Sequence, residues 1–96
     1  MIIIAGYSLV AADERDRFVA AHQDLVTRAR RFDGCLDVSI SADPVDPRRI
    51  NAMEVWRDAE ALDGWRAVAH APEMGDVAID IGNMRRYNAE DGGPLF

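Results

Sequence analysis

The order of hydrophobic patterns along the chain constrains its fold more than any other feature. Residues 2–10 carry apolar side chains at both even-numbered and odd-numbered positions, which predicts a strand buried on both faces. Apolar side chains then recur at steps of three and four, which predicts one amphipathic helix over residues 14–32. Asp13 can cap the start of this helix, and Gly34 can end it. The chain therefore opens as a strand followed by a helix.

A β-hairpin is predicted next. Residues 35–41 alternate between apolar and polar side chains, and we expect Leu36, Val38 and Ile40 on the inner face. The Asp-Pro-Val-Asp-Pro segment at 43–47 has the composition of a turn. A returning strand over residues 49–56 completes the hairpin.

A second helix and a final strand follow the hairpin. Asp58 can cap a helix over residues 59–69, and Pro72 disfavours its continuation because proline lacks an N–H donor. The last strand is expected over residues 79–88. Residues 89–96 form a polar, glycine-containing tail.

This order is the βαββαβ unit of an α+β, ferredoxin-like fold, a four-stranded antiparallel sheet with both helices on one face. We expect a single domain over residues 1–88, followed by the tail at 89–96. The helices cover one face of the sheet, yet the first and third strands are apolar on both sides. A second copy of the chain is the simplest cover for the other face, so we expect a homodimer.

Composition argues against several classes of function. The net charge of −6 and the scattered arginines argue against nucleic acid. All eleven basic residues are arginine, and the lack of lysine removes Schiff-base chemistry and lysine-dependent phosphate loops. The glycines form no dinucleotide-binding motif, and one cysteine with two histidines is no obvious metal ligand set. We therefore expect no cofactor and no metal.

No segment approaches the roughly 20 apolar residues that a membrane-spanning helix needs. The apolar N-terminal run has no basic residues before it and no cleavage site after it, so it does not resemble a signal peptide. We expect a soluble, cytoplasmic protein without a membrane partner.

Several segments follow a pattern that is specific to one superfamily, above all a Glu-x-Trp strand that leads into the second helix. These segments are Ala5–Tyr7, Arg15–Ala21, Gly34–Asp37, Ser41–Pro47, Glu54–Trp56 and Glu60–Leu62. Over residues 2–88 the chain resembles the antibiotic biosynthesis monooxygenase (ABM) family of the dimeric α/β-barrel superfamily.

The resemblance implies an activity as well as a fold. The best-understood members of the family oxygenate phenols or quinols without metal, flavin or nicotinamide. The deprotonated ring passes an electron to O2, and the radical pair recombines toward a quinone. The resemblance therefore implies a cofactor-independent monooxygenase that oxidises a small aromatic phenol, quinol or polyketide-type substrate with O2.

Glu54 and Trp56 are the first candidate site residues, because alternation places both on one strand face. Trp56 occupies the family's tryptophan position and either stacks on an aromatic substrate or fills the core. Glu54 is a catalytic base, the partner of a buried arginine such as Arg85, or a residue hydrogen-bonded to backbone near the dimer interface. His70, at the expected end of the second helix, is the other candidate base, or else a capping residue. The predicted substrate-binding set is Trp56, Trp65, Tyr7, Asn83 and Arg85, of which the last three line either the pocket or the dimer face.

The chain also departs from the family's pattern. Ala52 stands where the polyketide-tailoring members have a pocket asparagine, and Leu62 stands where they have a tyrosine. These losses favour an alternative function, a non-catalytic or stress-related dimer that binds a small hydrophobic ligand.

Heme degradation is a third hypothesis for the function of a chain with this fold. Trp56 and Trp65 have the nine-residue spacing of two tryptophans in heme-degrading relatives. However, Tyr7 replaces the asparagine of those enzymes, and Gly75 replaces their heme-ligating histidine. The rest of the heme-binding set is therefore missing.

Overall fold

The computed structural model describes residues 1–96, and its strands and helices follow the predicted order. The elements are β1 (Ile2–Leu9), α1 (Arg15–Ala21), α2 (Gln23–Arg30), β2 (Cys35–Ala42), β3 (Arg49–Trp56), α3 (Ala59–Arg66) and β4 (Asp80–Asn88). The four strands form one antiparallel sheet in the order β2-β3-β1-β4, with the helices on one face. The ferredoxin-like prediction is confirmed, and the sheet is open, with β2 and β4 at its edges. None of the helices is long and apolar enough to cross a membrane.

The two faces of the sheet have different surroundings. On the inner face, Ile2 lies opposite Trp56 and Ile4 lies opposite Glu54, and this face packs against the helices. On the outer face, Ile3, Ala5 and Tyr7 are only half-buried, because no element of this chain covers them. The predicted burial of β1 on both faces is therefore complete only on the inner side within one chain.

The core has two parts, both on the inner face. The larger part joins the strands to α2 and α3, and Trp56 and Leu62 are fully buried in it. Trp56 and Trp65 stack there with ring centroids 6.3 Å apart. The smaller part consists of Val10, Phe18, Ile50 and Val77. This packing holds α2 and α3 above the centre of the sheet.

The first helical segment is divided, whereas the sequence pattern predicted one helix over 14–32. The break lies at His22, whose backbone N–H donates to the Val19 carbonyl 3.1 Å away, three residues back. Its ring Nδ1 lies 2.8 Å from the Phe18 carbonyl oxygen, a contact that requires the proton on Nδ1. The predicted Asp13 cap is also wrong, because Glu14 precedes α1 and no side chain caps it. These local contacts tighten the chain where periodicity alone predicts a continuous helix.

A β-bulge changes the predicted face at the start of β2. Cys35 pairs with Trp56 and Asp37 pairs with Val55, so Leu36 is the extra residue. Leu36 is 58% exposed, and Cys35 packs against the core in its place. The prediction of an inward Leu36 is therefore wrong, because a bulge interrupts the alternation of faces.

The second helix begins as predicted but ends early. The Asp58 side chain accepts a hydrogen bond from the Ala61 N–H at 2.9 Å, which confirms the predicted cap. The helix ends at Arg66, not at residue 69. Arg28 of α2 donates a hydrogen bond to the Ala69 carbonyl at 2.7 Å. The backbone at Ala69 therefore bonds to α2 and does not continue α3.

Candidate functional site

A small cavity of about 90 Å³ lies between α2, α3 and the inner face of the sheet. We call it the inner cavity. The residues that line it are Leu25, Ala29, Val38, Ser39, Ile40, Ala52, Glu54 and Trp65. Glu54 is the only ionisable side chain in this set, and most of the others are apolar. The inner cavity therefore combines one carboxylate with an indole and hydrocarbon walls, which suits a small aromatic ligand that carries a polar group.

The geometry of Glu54 follows from strand alternation. Glu54 and Trp56 lie on the same face of β3, and Trp56 Nε1 donates a hydrogen bond to Glu54 Oε1 at 3.1 Å. The other carboxylate oxygen, Oε2, accepts no hydrogen bond from the protein. The expected alternative of a pair with Arg85 is not found, because Arg85 lies opposite Ala5 on the outer face. The carboxylate is thus oriented by an indole and keeps one oxygen free.

The two tryptophans have different positions at the site. Trp56 is fully buried and does not line the inner cavity, so the core-filling interpretation describes its observed surroundings. Trp65 lines the cavity and is the indole that a ligand there would contact. Direct stacking of Trp56 on a substrate stays a prediction.

The remaining predicted substrate-binding residues lie on the outer face. Tyr7 pairs with Asn83, and Arg85 is two residues further along β4. The Arg49 guanidinium lies 4.0 Å from the centre of the Tyr7 ring, a cation–π contact. Asn83 and Arg85 are exposed. The structure therefore divides the predicted site into Glu54, Trp56 and Trp65 on the inner face and Tyr7, Asn83 and Arg85 on the outer face.

His70 lies apart from both groups. It is exposed, comes after the end of α3, and has a positive φ of 48°. Its backbone carbonyl accepts a hydrogen bond from Arg28 at 3.3 Å, and its side chain does not line the inner cavity. The structure therefore does not bring the two predicted bases, Glu54 and His70, together.

Cys35 packs against the core beside this site. Burial raises the pKa of its thiol, and the negative charges of Asp37 and Glu54 add to that effect. A raised pKa favours the protonated thiol, which is a poor nucleophile. Cys35 is therefore a small packing residue at the edge of the core.

Residues of α2 complete the site, and the sequence analysis did not identify them. Leu25 and Ala29 line the inner cavity. Arg28, on the same helix, lies 5.6 Å from the Trp65 ring and donates to the Ala69 carbonyl. The only local signal for Arg28 was its ion pair with Asp24 at i,i+4, which says nothing of the contact with Trp65. These residues meet through folding between distant segments.

No three side chains of the His, Cys, Asp or Glu type lie close enough together to hold a metal ion. The expectation that the protein works without a resident cofactor stays a prediction.

Comparison with known proteins gives one family. A family model described as antibiotic biosynthesis monooxygenase matches residues 1–74. The match includes every residue that lines the inner cavity and ends before β4. An uncharacterized protein of Synechocystis sp., sll1783, is 32% identical over 62 residues, or 65% of this chain. The chain spans only 42% of the length of that relative.

Three solved structures share the fold. A protein of Chloroflexus aurantiacus, provisionally assigned as an antibiotic biosynthesis monooxygenase, has a TM-score of 0.73 at 21% identity, over 99% of this chain and 98% of its own. A protein of Nitrosomonas europaea with the same provisional assignment has a TM-score of 0.72 at 18% identity, over 100% of both chains. A Bacteroides thetaiotaomicron protein of unknown function, suggested to be an oxidoreductase, reaches 0.73 at 15% identity, over 90% of this chain and 94% of its own. At these identities the likeness shows the fold alone.

Proposed function

This chain belongs to the antibiotic biosynthesis monooxygenase family, and from that premise we propose that it is a cofactor-independent monooxygenase that oxidises a small phenol or quinol with O2. The observation that carries the proposal is the inner cavity, in which Glu54 is the one ionisable group among apolar walls. A carboxylate in such surroundings can accept a proton from a bound phenol when the two groups are in hydrogen-bond reach. The walls meanwhile keep water from reactive intermediates.

The proposed reaction balances without an added reductant. Glu54 removes the phenolic proton, and the phenolate transfers one electron to O2 to give a phenoxyl radical and superoxide. The two radicals join at a ring carbon that bears hydrogen, ortho or para to the oxygen, which forms a C–O bond and leaves a peroxide. Breaking the O–O bond with loss of the C–H hydrogen gives the quinone. The second oxygen atom leaves as water and carries the hydrogen atoms of the phenol group and of the C–H bond.

The residues around Glu54 have separate roles in this proposal. Trp56 donates to Oε1 and thereby orients the carboxylate, which leaves Oε2 to face the substrate hydroxyl. Trp65 offers an aromatic surface to the ring. Neither indole reacts, so both act by positioning.

Oxygen consumption tests the proposed function. Protein is mixed with a panel of hydroquinones and anthrones, with a metal chelator present and no cofactor added. We expect oxygen uptake that is proportional to protein concentration, with one oxygenated quinone and no hydrogen peroxide formed per O2. No protein-dependent uptake with any member of the panel would contradict the enzyme proposal.

One observation favours a second function, a binding protein for small hydrophobic molecules. Ala52 lines the inner cavity and gives it no hydrogen-bond donor. Leu62 is fully buried and likewise gives it none. Tight binding of an aromatic ligand without oxygen uptake would support this function. Heme is not favoured, because Gly75 stands where the heme-degrading relatives have their ligating histidine.

A further inference from the structure

A second, larger space lies beside the inner cavity, between the α1–α2 segment and the edge strand β2. It has a volume of about 390 Å³, and we call it the helix groove. The residues that line it are Val19, Ala20, His22, Gln23, Val26, Thr27, Arg30, Ser39, Ile40 and Ser41. The helix groove and the inner cavity share two residues, Ser39 and Ile40. The two spaces are therefore neighbours with a common wall.

Ile40 provides the side chain of that wall. Ser39 pairs with Met53 on the outer face, so it contributes backbone to the inner side. Ile40 pairs with Ala52 on the inner face, and its side chain packs against the smaller part of the core. Ile40 is therefore the one side chain on the inner face that lines both spaces, and Ala52 opposite it is small.

The helix above the wall also divides its side chains between the two spaces. Leu25 and Ala29 of α2 line the inner cavity, whereas Val26 and Arg30 line the helix groove. Arg30 Nε donates to the Val38 carbonyl at 2.8 Å and ties α2 to β2. The inner cavity and the helix groove are therefore separated by side chains of both β2 and α2.

The volumes indicate which ligands each space admits. An apolar cavity of about 150 Å³ binds benzene, so the inner cavity, at about 90 Å³, has no room for a second ring. Joined to the helix groove, it reaches the size of ordinary ligand pockets. The groove carries His22, Gln23, Thr27 and Arg30, which can bind polar substituents.

We propose that Ile40 is the specificity-determining residue that limits this protein to single-ring phenols, by separating the inner cavity from the helix groove. The choice of phenols as ligands rests on the proposed function. Shortening Ile40 joins the two spaces, so that a two-ring phenol can place its first ring beside Glu54 and its second ring in the groove.

Anaerobic titration calorimetry with phenol and 2-naphthol tests the proposal. We expect the unmodified protein to bind phenol about tenfold more tightly than 2-naphthol, a typical discrimination by pocket size. Ile40→Ala should improve 2-naphthol binding by about tenfold and leave phenol binding within about threefold. Ile40→Val should give a smaller change in the same direction. Val19→Ala, at a residue that lines the groove but not the cavity, should leave the ratio of the two affinities unchanged.

Two results in particular would overturn the proposal. Equal weakening of both ligands in Ile40→Ala would mean that Ile40 only supports the core, and absence of binding in every variant would mean that the cavity admits no ring. If circular dichroism shows that Ile40→Ala does not fold, Ile40→Val decides the matter. The titration requires no turnover. A shifted affinity ratio without oxygen uptake would therefore remove the proposed reaction and retain the role of Ile40.

Discussion

At the scale of single residues, the hydrogen bond from Trp56 Nε1 to Glu54 Oε1 orients the carboxylate of the proposed site. Glu54→Gln keeps the shape and an acceptor oxygen for Trp56 but removes the base. We expect the rate of oxygen uptake to fall by about 10²–10⁴-fold, with ligand affinity little changed. The measurements are oxygen uptake and calorimetric affinity on the same preparation.

Glu73→Gln is the matched control, because Glu73 is exposed in the loop before β4 and makes no side-chain hydrogen bond. It should leave the rate unchanged. An unchanged rate in Glu54→Gln together with a lower melting temperature would make Glu54 a structural residue. The search for a base would then move to His70.

Asp43 is the residue whose charge state should link stability to pH. The backbone N–H of Asp46 and the side chain of Asn51 donate to its carboxylate at 2.8 Å each and lower its pKa from 3.8 to about 2. A carboxyl with a lowered pKa stabilises the fold above its ordinary pKa, and this contribution disappears as the pH falls toward 2. The stability difference between wild type and Asp43→Asn should therefore shrink as the pH falls from about 5 to about 2.

Urea unfolding of both proteins across that pH range measures the difference. Comparing two proteins at each pH cancels the titration of the other carboxyl groups. A difference that stays constant from the higher to the lower pH would show that Asp43 does not titrate in the expected range.

At the scale of elements, the pairing of β1 with β4 depends on Gly6. Its φ is +153°, and a Cβ there would overlap the carbonyl oxygen of Asn83 in β4. Gly6→Ala should separate the two strands locally and lower the free energy of unfolding by about 1–3 kcal/mol. Urea denaturation measures this loss.

Gly75→Ala is the control for this substitution, because a Cβ at Gly75 meets no atom within 4 Å. It should change stability by less than about 0.5 kcal/mol. A similar loss in both variants, or none in Gly6→Ala, would show that the close approach of β1 and β4 is not the cause.

At the scale of the whole molecule, the outer face of the sheet is the surface on which we expect a homodimer to form. It exposes Met53 at 38% and Tyr87 at 47%, beside half-buried apolar residues of β1. We therefore expect light scattering at micromolar concentration to give twice the chain mass of 10.6 kDa. A stable monomer would contradict this expectation.

A charge on the outer face tests the same surface. Met53→Glu should shift the protein toward the monomer, because it places a carboxylate in the centre of the expected interface. Val68→Glu is the control, since Val68 is 48% exposed but follows α3 on the helical side. If both variants keep the mass of the unmodified protein, the outer face is not the interface.

The sequence by itself determined the order of the elements, the limits of β3 and the Asp58 cap. It also placed Glu54 and Trp56 on one strand face. These features depend on the period of side chains along the backbone and on hydrogen bonds within a few residues. Both can be read from short stretches of the sequence. The fold could therefore be predicted without knowing which segments touch.

Only the tertiary structure decided the bulge at Leu36, the break at His22 and the composition of the inner cavity. Leu25, Ile40, Glu54 and Trp65 come from four different elements, and their contact depends on how α2 and α3 pack on the sheet. The division of the predicted site between two faces has the same origin. Packing between distant segments sets these contacts, and no local pattern in the sequence encodes them.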